Sequence, residues 1–165
     1  LEFRRVLFRS DFSVFQQVQE AGKSLGDIHV EYEQCPIFET KQSIQRDLIE
    51  SIPDVDLYRV QKMRFAGTRG REDKTTVIYN EHITIKNIPL EAYEYVVNGK
   101  PALEWVMERQ CVKVDKDSGI VNDANDYAIE TMNNPAYPLE LFQRVITVSL
   151  ETMKIVKSLP PLGLN

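Results

Sequence analysis

The sequence has few of the residues that stabilise secreted, metal-binding or membrane proteins. Its 165 residues contain two cysteines, Cys35 and Cys111, too few for a disulfide framework or a cysteine-rich metal site. No apolar run approaches the roughly 20 residues that a transmembrane helix requires. We therefore expect a reduced, cytoplasmic protein that does not span a membrane and has no metal site of its own.

Positive charge is also scarce. Lysine and arginine number 20 against 25 acidic residues, which gives a net charge of −5. A protein covered with cations for nucleic acid is excluded, so any such binding must be confined to one patch. Hydrophobic residues make up 42% and charged residues 27%, an ordinary balance for a soluble globular domain of this length.

Catalytic motifs are weak or absent. No Ser–His–Asp, Cys–His or phosphate-loop arrangement is present. Asn134–Tyr137 (NPAY) is close to the Asn-Pro-Pro-aromatic motif of amino-group DNA methyltransferases, but no strand pattern precedes it. The segment is therefore interpreted as a helix start. Asp115, Asp117 and Gly119 are spaced like part of a calcium loop, but the closing glutamate is missing.

The first ten residues, Leu1–Ser10 (LEFRRVLFRS), have an unusual composition. Their apolar run is too short and too interrupted by arginine for a secretory signal. We interpret them as a translated sequencing adapter fused to a truncated gene. The expected domain is then residues 11–165, the carboxy-terminal fragment of a longer protein.

Residue periodicity predicts an α+β fold. Strand patterns cover Leu57–Phe65, Thr75–Tyr79 and Ile83–Lys86, which should form a small antiparallel sheet. Helical spacing predicts a first helix over about 13–32. It also predicts a long, largely buried helix over Tyr137–Leu159 that supports the core.

A turn separates two further helical segments in the middle of the chain. Asn98 and Gly99 should end the first segment, and Pro101 can open the second because its missing N–H costs nothing there. Trp105 lies on the apolar face of the second segment. We therefore expect Trp105 to be buried.

The densest cationic stretch outside the first ten residues surrounds a glycine-containing loop predicted at Ala66–Lys74. Lys62 and Arg64 precede the loop at alternate strand positions and should project together. Arginine and lysine at such a place suit DNA phosphates, although a solvated hairpin tip has the same composition. The candidate DNA-binding residues are Lys62, Arg64, Arg69, Arg71 and Lys74, with Lys100 as a weaker candidate.

Several segments together resemble the carboxy-terminal region of type ISP restriction-modification enzymes, which are often described as helicases. The resemblance is carried by Ala21–Glu33 (AGKSLGDIHVEYE), Lys62–Phe65 (KMRF), Tyr79–Pro89 (YNEHITIKNIP), Val97–Arg109 (VNGKPALEWVMER), Asp115–Asp123 (DKDSGIVND) and Arg144–Pro160 (RVITVSLETMKIVKSLP). Pro101 departs from the small polar residue expected in the NGK turn. That departure changes a helix cap and not the chemistry.

The resemblance implies a large single polypeptide that carries a nuclease, a helicase-like ATPase, a coupler, an adenine methyltransferase and a target-recognition region. This chain corresponds to the last region, so duplex DNA and the upstream methyltransferase and helicase domains are the implied partners. The implied cofactors of the parent are ATP, magnesium and S-adenosylmethionine. None is expected in this fragment, and no catalytic residue is assigned to it.

Three functions remain open at this stage. The first is a non-catalytic DNA target-recognition domain. The second is the distal part of a methyltransferase in which NPAY is functional, and the third is a structural module that packs on its parent. The first requires cations gathered on one face. The second requires a strand before Asn134, and the third requires a large exposed apolar patch.

Overall fold

The structure is a computed structural model that describes residues 12–44 and 52–160, with Ser43 and Ile44 described by their backbone alone. The predicted adapter segment Leu1–Ser10 lies outside the described residues. The described helices are α1 (Phe12–Val30), α2 (Asp54–Leu57), α3 (Ala102–Arg109), α4 (Ala124–Glu130) and α5 (Tyr137–Ser158), with short 3-10 helices at Tyr32–Gln34 and Leu90–Tyr93.

Eight short strands accompany these helices. They are β1 (Lys41–Ile44), β2 (Arg64–Thr68), β3 (Arg71–Ile78), β4 (Ile83–Lys86), β5 (Val96–Val97), β6 (Lys100–Pro101), β7 (Val112–Val114) and β8 (Val121–Asp123). Four of them form an antiparallel sheet in the order β1-β4-β3-β2, while β5–β6 and β7–β8 are separate two-stranded hairpins. The predicted α+β class is confirmed.

The long carboxy-terminal helix organises the core, as predicted. In α5, Phe142 and Ile146 have no exposed surface, and they join one cluster with the inner face of the sheet. Pro138 fits the first turn of this helix because no intrahelical bond needs its missing N–H. Leu159 is extended, as expected of a residue before proline, and the helix ends there.

The sheet has one buried face and one outer face because its side chains alternate. Val77, Ile83 and Ile85 are fully buried on the inner face. Arg64 pairs with Ile78, and Ile78 pairs with Thr84 on the next strand. These three residues therefore share the opposite face, which is called the outer sheet face below.

The predicted strand over Leu57–Phe65 is wrong for most of its length. Leu57 ends helix α2, and regular pairing begins at Arg64. The backbone of Val60 bonds to the Asn125 side chain, and the Gln61 carbonyl accepts from the Val112 N–H. These backbone groups are satisfied outside the sheet, so the alternating sequence pattern does not produce a strand there.

Two further expectations need correction. The predicted loop Ala66–Lys74 is mostly strand, because β2 and β3 pair as far as Thr68 and Arg71. Trp105 is partly exposed rather than buried, and its indole N–H donates to the Val97 carbonyl at 2.8 Å. Leu103 and Met107 occupy the buried face of α3 instead.

Candidate nucleic-acid interface

The β2–β3 hairpin extends beyond the rest of the sheet. Strand β3 pairs with β4 at Val77 and Ile78, whereas its distal part pairs with β2 alone. Every residue from Gly67 to Lys74 is exposed. The distal hairpin is thus a two-stranded ribbon open to solvent.

Two glycines allow the ribbon to form. Gly70, in the turn after Arg69, has φ +83, and Gly67 has φ +92. A Cβ atom on Gly67 would lie 2.4 Å from the Arg71 carbonyl oxygen. The two strands can approach here because residue 67 lacks a side chain.

The acidic residues of the ribbon are engaged by its own backbone and hydroxyl groups. Glu72 accepts the Gly70 N–H at 3.1 Å, and this hydrogen bond lowers the pKa of Glu72. Asp73 accepts the Thr75 hydroxyl at 2.6 Å and the Thr75 N–H at 2.9 Å, which lower the pKa of Asp73. Both carboxylates therefore bond within the ribbon and not to its arginines.

Lys62 and Arg64 form a ridge between two clefts. Both are exposed and flank the buried Met63, so they project to the same side, as the sequence predicted. A cleft of about 930 Å³ lies on the side of the β3–β4 turn. A second cleft, of about 840 Å³, lies between the hairpin and the α3–β7 segment. Lys62 and Arg64 line both clefts.

A buried asparagine fixes the segment that precedes this ridge. The Asn125 side chain accepts the Val60 N–H at 2.9 Å and donates to the Val60 carbonyl at 2.8 Å. Asp123 caps helix α4 and pairs with Arg59 at 2.6 Å. Sequence reasoning missed these positioning residues. An aspartate just before a helical segment was the available signal for the cap.

The six predicted DNA-binding residues divide into two groups. Lys62, Arg64, Arg69 and Arg71 form no ion pair or side-chain hydrogen bond with any residue that the structure describes. They are called the free cations below. Three of them, Lys62, Arg64 and Arg69, line the same 840 Å³ cleft. The exposed Lys113, which the sequence reading did not single out, lines that cleft as well.

Lys74 and Lys100 are the paired cations. Lys74 Nζ lies 2.9 Å from a Glu104 carboxylate oxygen and 5.4 Å from the centre of the Tyr93 ring. Lys100 Nζ lies 2.6 Å from Glu108 and 4.6 Å from the centre of the Trp105 ring. Helix α3 therefore compensates both charges, because it supplies the two glutamates.

The methyltransferase-like and calcium-loop-like motifs stabilise local structure. Helix α4 and a turn precede Asn134, so the strand that a methyltransferase motif requires is not there. Asn134 Oδ1 accepts the Ala136 N–H at 3.0 Å and helps to start α5. Asp115 accepts the N–H and the hydroxyl of Ser118, each at 2.8 Å, inside the β7–β8 turn. Across residues 12–44 and 52–160, no cluster of metal-binding side chains occurs.

Residues 1–141 match the model of a family described as the Type ISP C-terminal specificity domain. The chain belongs to the Type ISP C-terminal specificity domain family. No curated protein matches it. Within its described residues, this specificity domain has no helix long and apolar enough to cross a membrane.

Solved structures similar to the specificity domain are parts of much larger chains. The Type ISP restriction-modification enzyme LlaGI, solved as a nuclease-deletion mutant with a DNA substrate mimic, is 44% identical over 87% of this chain, with a TM-score of 0.73. The ATP-dependent Type ISP enzyme LlaBIII, solved bound to DNA, is 42% identical over 88%, with a TM-score of 0.74. The specificity domain spans 12% of the LlaGI chain and 9% of the LlaBIII chain.

A third solved structure is less similar in sequence and shares the fold alone. The chain in a DrdV–DNA complex is 23% identical over 89% of the specificity domain, with a TM-score of 0.68.

Proposed function

We propose that this chain is the DNA target-recognition part of a longer Type ISP restriction-modification polypeptide and performs no catalysis itself. The observation that carries the proposal is the group of free cations, Lys62, Arg64, Arg69 and Arg71, on the hairpin and the adjoining ridge. The DNA-bound relatives LlaGI and LlaBIII support the same conclusion.

Local charge balance resolves the apparent conflict with a net charge of −5. A polyanion attracts cations whose charge neighbouring carboxylates have not already neutralised, and it gains affinity by releasing condensed counterions. The free cations form no ion pair within the described residues, although Glu72, Glu104 and Glu108 also line their cleft. Lys74 and Lys100 are each paired with a glutamate of α3. The free cations are therefore the proposed phosphate-contacting residues, and the paired cations are secondary.

The dimensions of the hairpin suit a DNA groove. Three cross-strand pairs, from Ala66–Asp73 to Thr68–Arg71, extend the ribbon by roughly 10 Å at about 3.4 Å per residue. The B-DNA major groove is about 12 Å wide and about 8.5 Å deep, and it admits a two-stranded ribbon. Arg69 and Arg71 at the tip of the hairpin can follow the DNA backbone or enter the groove. Lys62 and Arg64 would then lie at the rim of the groove.

The rest of the parent belongs to the proposal as well. ATP, magnesium and S-adenosylmethionine would serve the nuclease, ATPase and methyltransferase parts of the parent rather than this fragment. The same parts, upstream in the polypeptide, would be its covalent partners. A protein that modifies and cuts DNA would act in the cytoplasm.

The proposal is tested by replacing Arg69 and Arg71 with alanine together. Fluorescence anisotropy with labelled duplexes should show affinity reduced about tenfold or more, because two charge-assisted contacts are lost. The slope of log K against log salt should shrink by about two, roughly one for each phosphate contact. The loss should be similar for different duplex sequences if both residues contact phosphates.

A control removes two positive charges elsewhere, at Lys23 on α1 and at Lys154 on α5, which is paired with Glu151 at 3.2 Å. It should leave the affinity within about twofold and the salt slope unchanged, because these lysines lie on helices and not on the hairpin. Equal effects of the two double variants would show that net charge alone governs binding. An unchanged Arg69/Arg71 double variant would remove the hairpin from the DNA surface.

A structural module that packs on its parent is the second candidate. Helix α1 favours it, because this helix has no buried residue and exposes Phe12 by 69% and Phe15 by 42%. Such a module predicts no salt-dependent duplex binding beyond that of the lysine control. The anisotropy measurement therefore separates the two candidates directly.

A further inference from the structure

Two lysines lie directly opposite each other on neighbouring strands of the sheet. Lys41 on β1 is the cross-strand partner of Lys86 on β4, and both side chains are exposed. Like charges at directly opposed positions destabilise a sheet, because their Cβ atoms lie only about 5 Å apart. The sequence reading did not single out either residue.

Neither lysine has a compensating partner in the described part of the chain. No ion pair or side-chain hydrogen bond of Lys41 or Lys86 is found there. The nearest acidic residue before Lys41 in the sequence is Glu39, and Asp73 on β3 bonds to the hydroxyl of Thr75. Within the described residues, no ion pair therefore offsets the repulsion between the two lysines.

Both lysines lie on the same face as one of the free cations. Ile83 and Ile85 are buried on the inner face, so Thr84 and Lys86 face outward. Thr84 is in register with Ile78 and, across β3, with Arg64. At about 4.8 Å between strands and about 3.4 Å per residue, Lys86 and Arg64 are separated by about 12 Å.

Protection of a sheet edge against pairing with other sheets explains at most one of the two lysines. Lysine on an edge strand blocks pairing with other sheets, and β1 is an edge strand of the four-stranded sheet. Lys86 belongs to β4, which lies between β1 and β3, and has no edge to protect. An interior lysine opposite an edge lysine therefore needs a different explanation.

We propose that Lys41 and Lys86 form a second phosphate-binding site for duplex DNA, on the outer sheet face and separate from the hairpin. A phosphate between the two ammonium groups adds two attractions that outweigh the repulsion between them. The separation of about 12 Å from Arg64 is close to the width of the major groove. The outer sheet face can therefore contact the backbone beside the groove that the hairpin enters. This inference rests on the proposed DNA-binding function and adds a surface to it.

The decisive variant is Lys86→Glu, because stability and DNA affinity should change in opposite directions. Glutamate opposite Lys41 replaces a repulsion with an attraction, so Tm should rise by about 1–3 °C. Duplex affinity should fall about tenfold at low salt, and the salt slope should shrink by at least about one. The double variant Lys41→Gln with Lys86→Gln should lower the slope by about two without creating an ion pair.

The control is Lys23→Glu on α1, which makes the same charge change away from the sheet. Its affinity should stay within about twofold of the unchanged protein. The inference fails if Lys86→Glu and Lys23→Glu weaken binding equally, or if both sheet variants bind DNA normally. If the Lys41→Gln with Lys86→Gln variant aggregates but binds DNA normally, the inference also fails. That result would show that the lysines prevent pairing between sheets and do not bind phosphate.

The hairpin variant separates this failure from failure of the proposed function. If Arg69→Ala with Arg71→Ala weakens DNA binding but the sheet variants do not, the function stands and the second site is lost. If the hairpin and sheet variants are all without effect, the proposed DNA surface is lost as a whole.

Discussion

The free cations and the paired Lys74 come from one stretch of the chain, yet their charges have different surroundings. Arg69 and Arg71 lie on a ribbon whose acids bond to its own backbone and hydroxyl groups. Lys74, three residues beyond Arg71, contacts Glu104 and two aromatic rings. The comparison teaches that cation density along a sequence overestimates the positive surface. Tertiary neighbours decide which charges remain available to a polyanion.

The variant with the largest expected effect loosens the backbone segment that precedes the free cations and removes no charge. Asn125→Ala leaves the buried N–H and carbonyl of Val60 without partners, and each such group costs about 1–3 kcal/mol. The free energy of unfolding should fall by about 3 kcal/mol in urea titrations. Asn122→Ala, on exposed strand β8, is the control and should change it little. Equal stability of the two variants would contradict the anchoring role.

A second change distorts the ribbon and keeps all of its charges. Gly67→Ala places a Cβ atom 2.4 Å from the Arg71 carbonyl at a residue with φ +92. It should cost about 2 kcal/mol and weaken DNA binding, because Arg69 and Arg71 lose their orientation.

The glycine control lies on α1. Gly22→Ala meets no atom within 4 Å, and in a helix it should stabilise the protein by up to about 1 kcal/mol. Thermal unfolding and anisotropy measure both effects. Normal DNA affinity of Gly67→Ala would show that the ribbon geometry does not matter for binding.

A third change tests the paired group. Lys74→Ala removes the ion pair with Glu104 and the contacts over the Phe65 and Tyr93 rings. The unfolding free energy should fall by about 1 kcal/mol, and the salt slope of DNA binding should stay unchanged. If the slope falls by about one, Lys74 contacts phosphate and the division of the cations is wrong.

The smallest expected effect concerns the acids of the ribbon. The Thr75 hydroxyl is the main cause of the low pKa of Asp73, so Thr75→Val should raise that pKa toward the ordinary value of aspartate. The stability from this bond is present above the unfolded-state pKa, about 3.9, and is lost as pH falls through the lower folded pKa. NMR titration measures the shift. Glu72 is the internal control, because Gly70 and not Thr75 lowers its pKa.

The sequence alone predicted the features that depend on local periodicity and local steric rules. The limits of α1 and α5 and the pairing of β3 with β4 follow from residue spacing, glycine and proline. The turn at Asn98–Gly99 was placed correctly, but it closes the β5–β6 hairpin and does not end a helix as predicted. The family was likewise recognisable from contiguous motifs. The projection of Lys62 and Arg64 to one side followed from alternation.

Other features depended on contacts between distant parts of the chain. The alternating pattern of Leu57–Phe65 suited a strand, but Asn125, 65 residues beyond Val60, takes the Val60 backbone bonds. Trp105 is the largest side chain of α3, yet Leu103 and Met107 face the core, because the contacts of the helix with the rest of the fold decide which of its sides is buried. The opposition of Lys41 and Lys86 arises only when β1 pairs with β4, since strand register brings together residues that sequence distance separates.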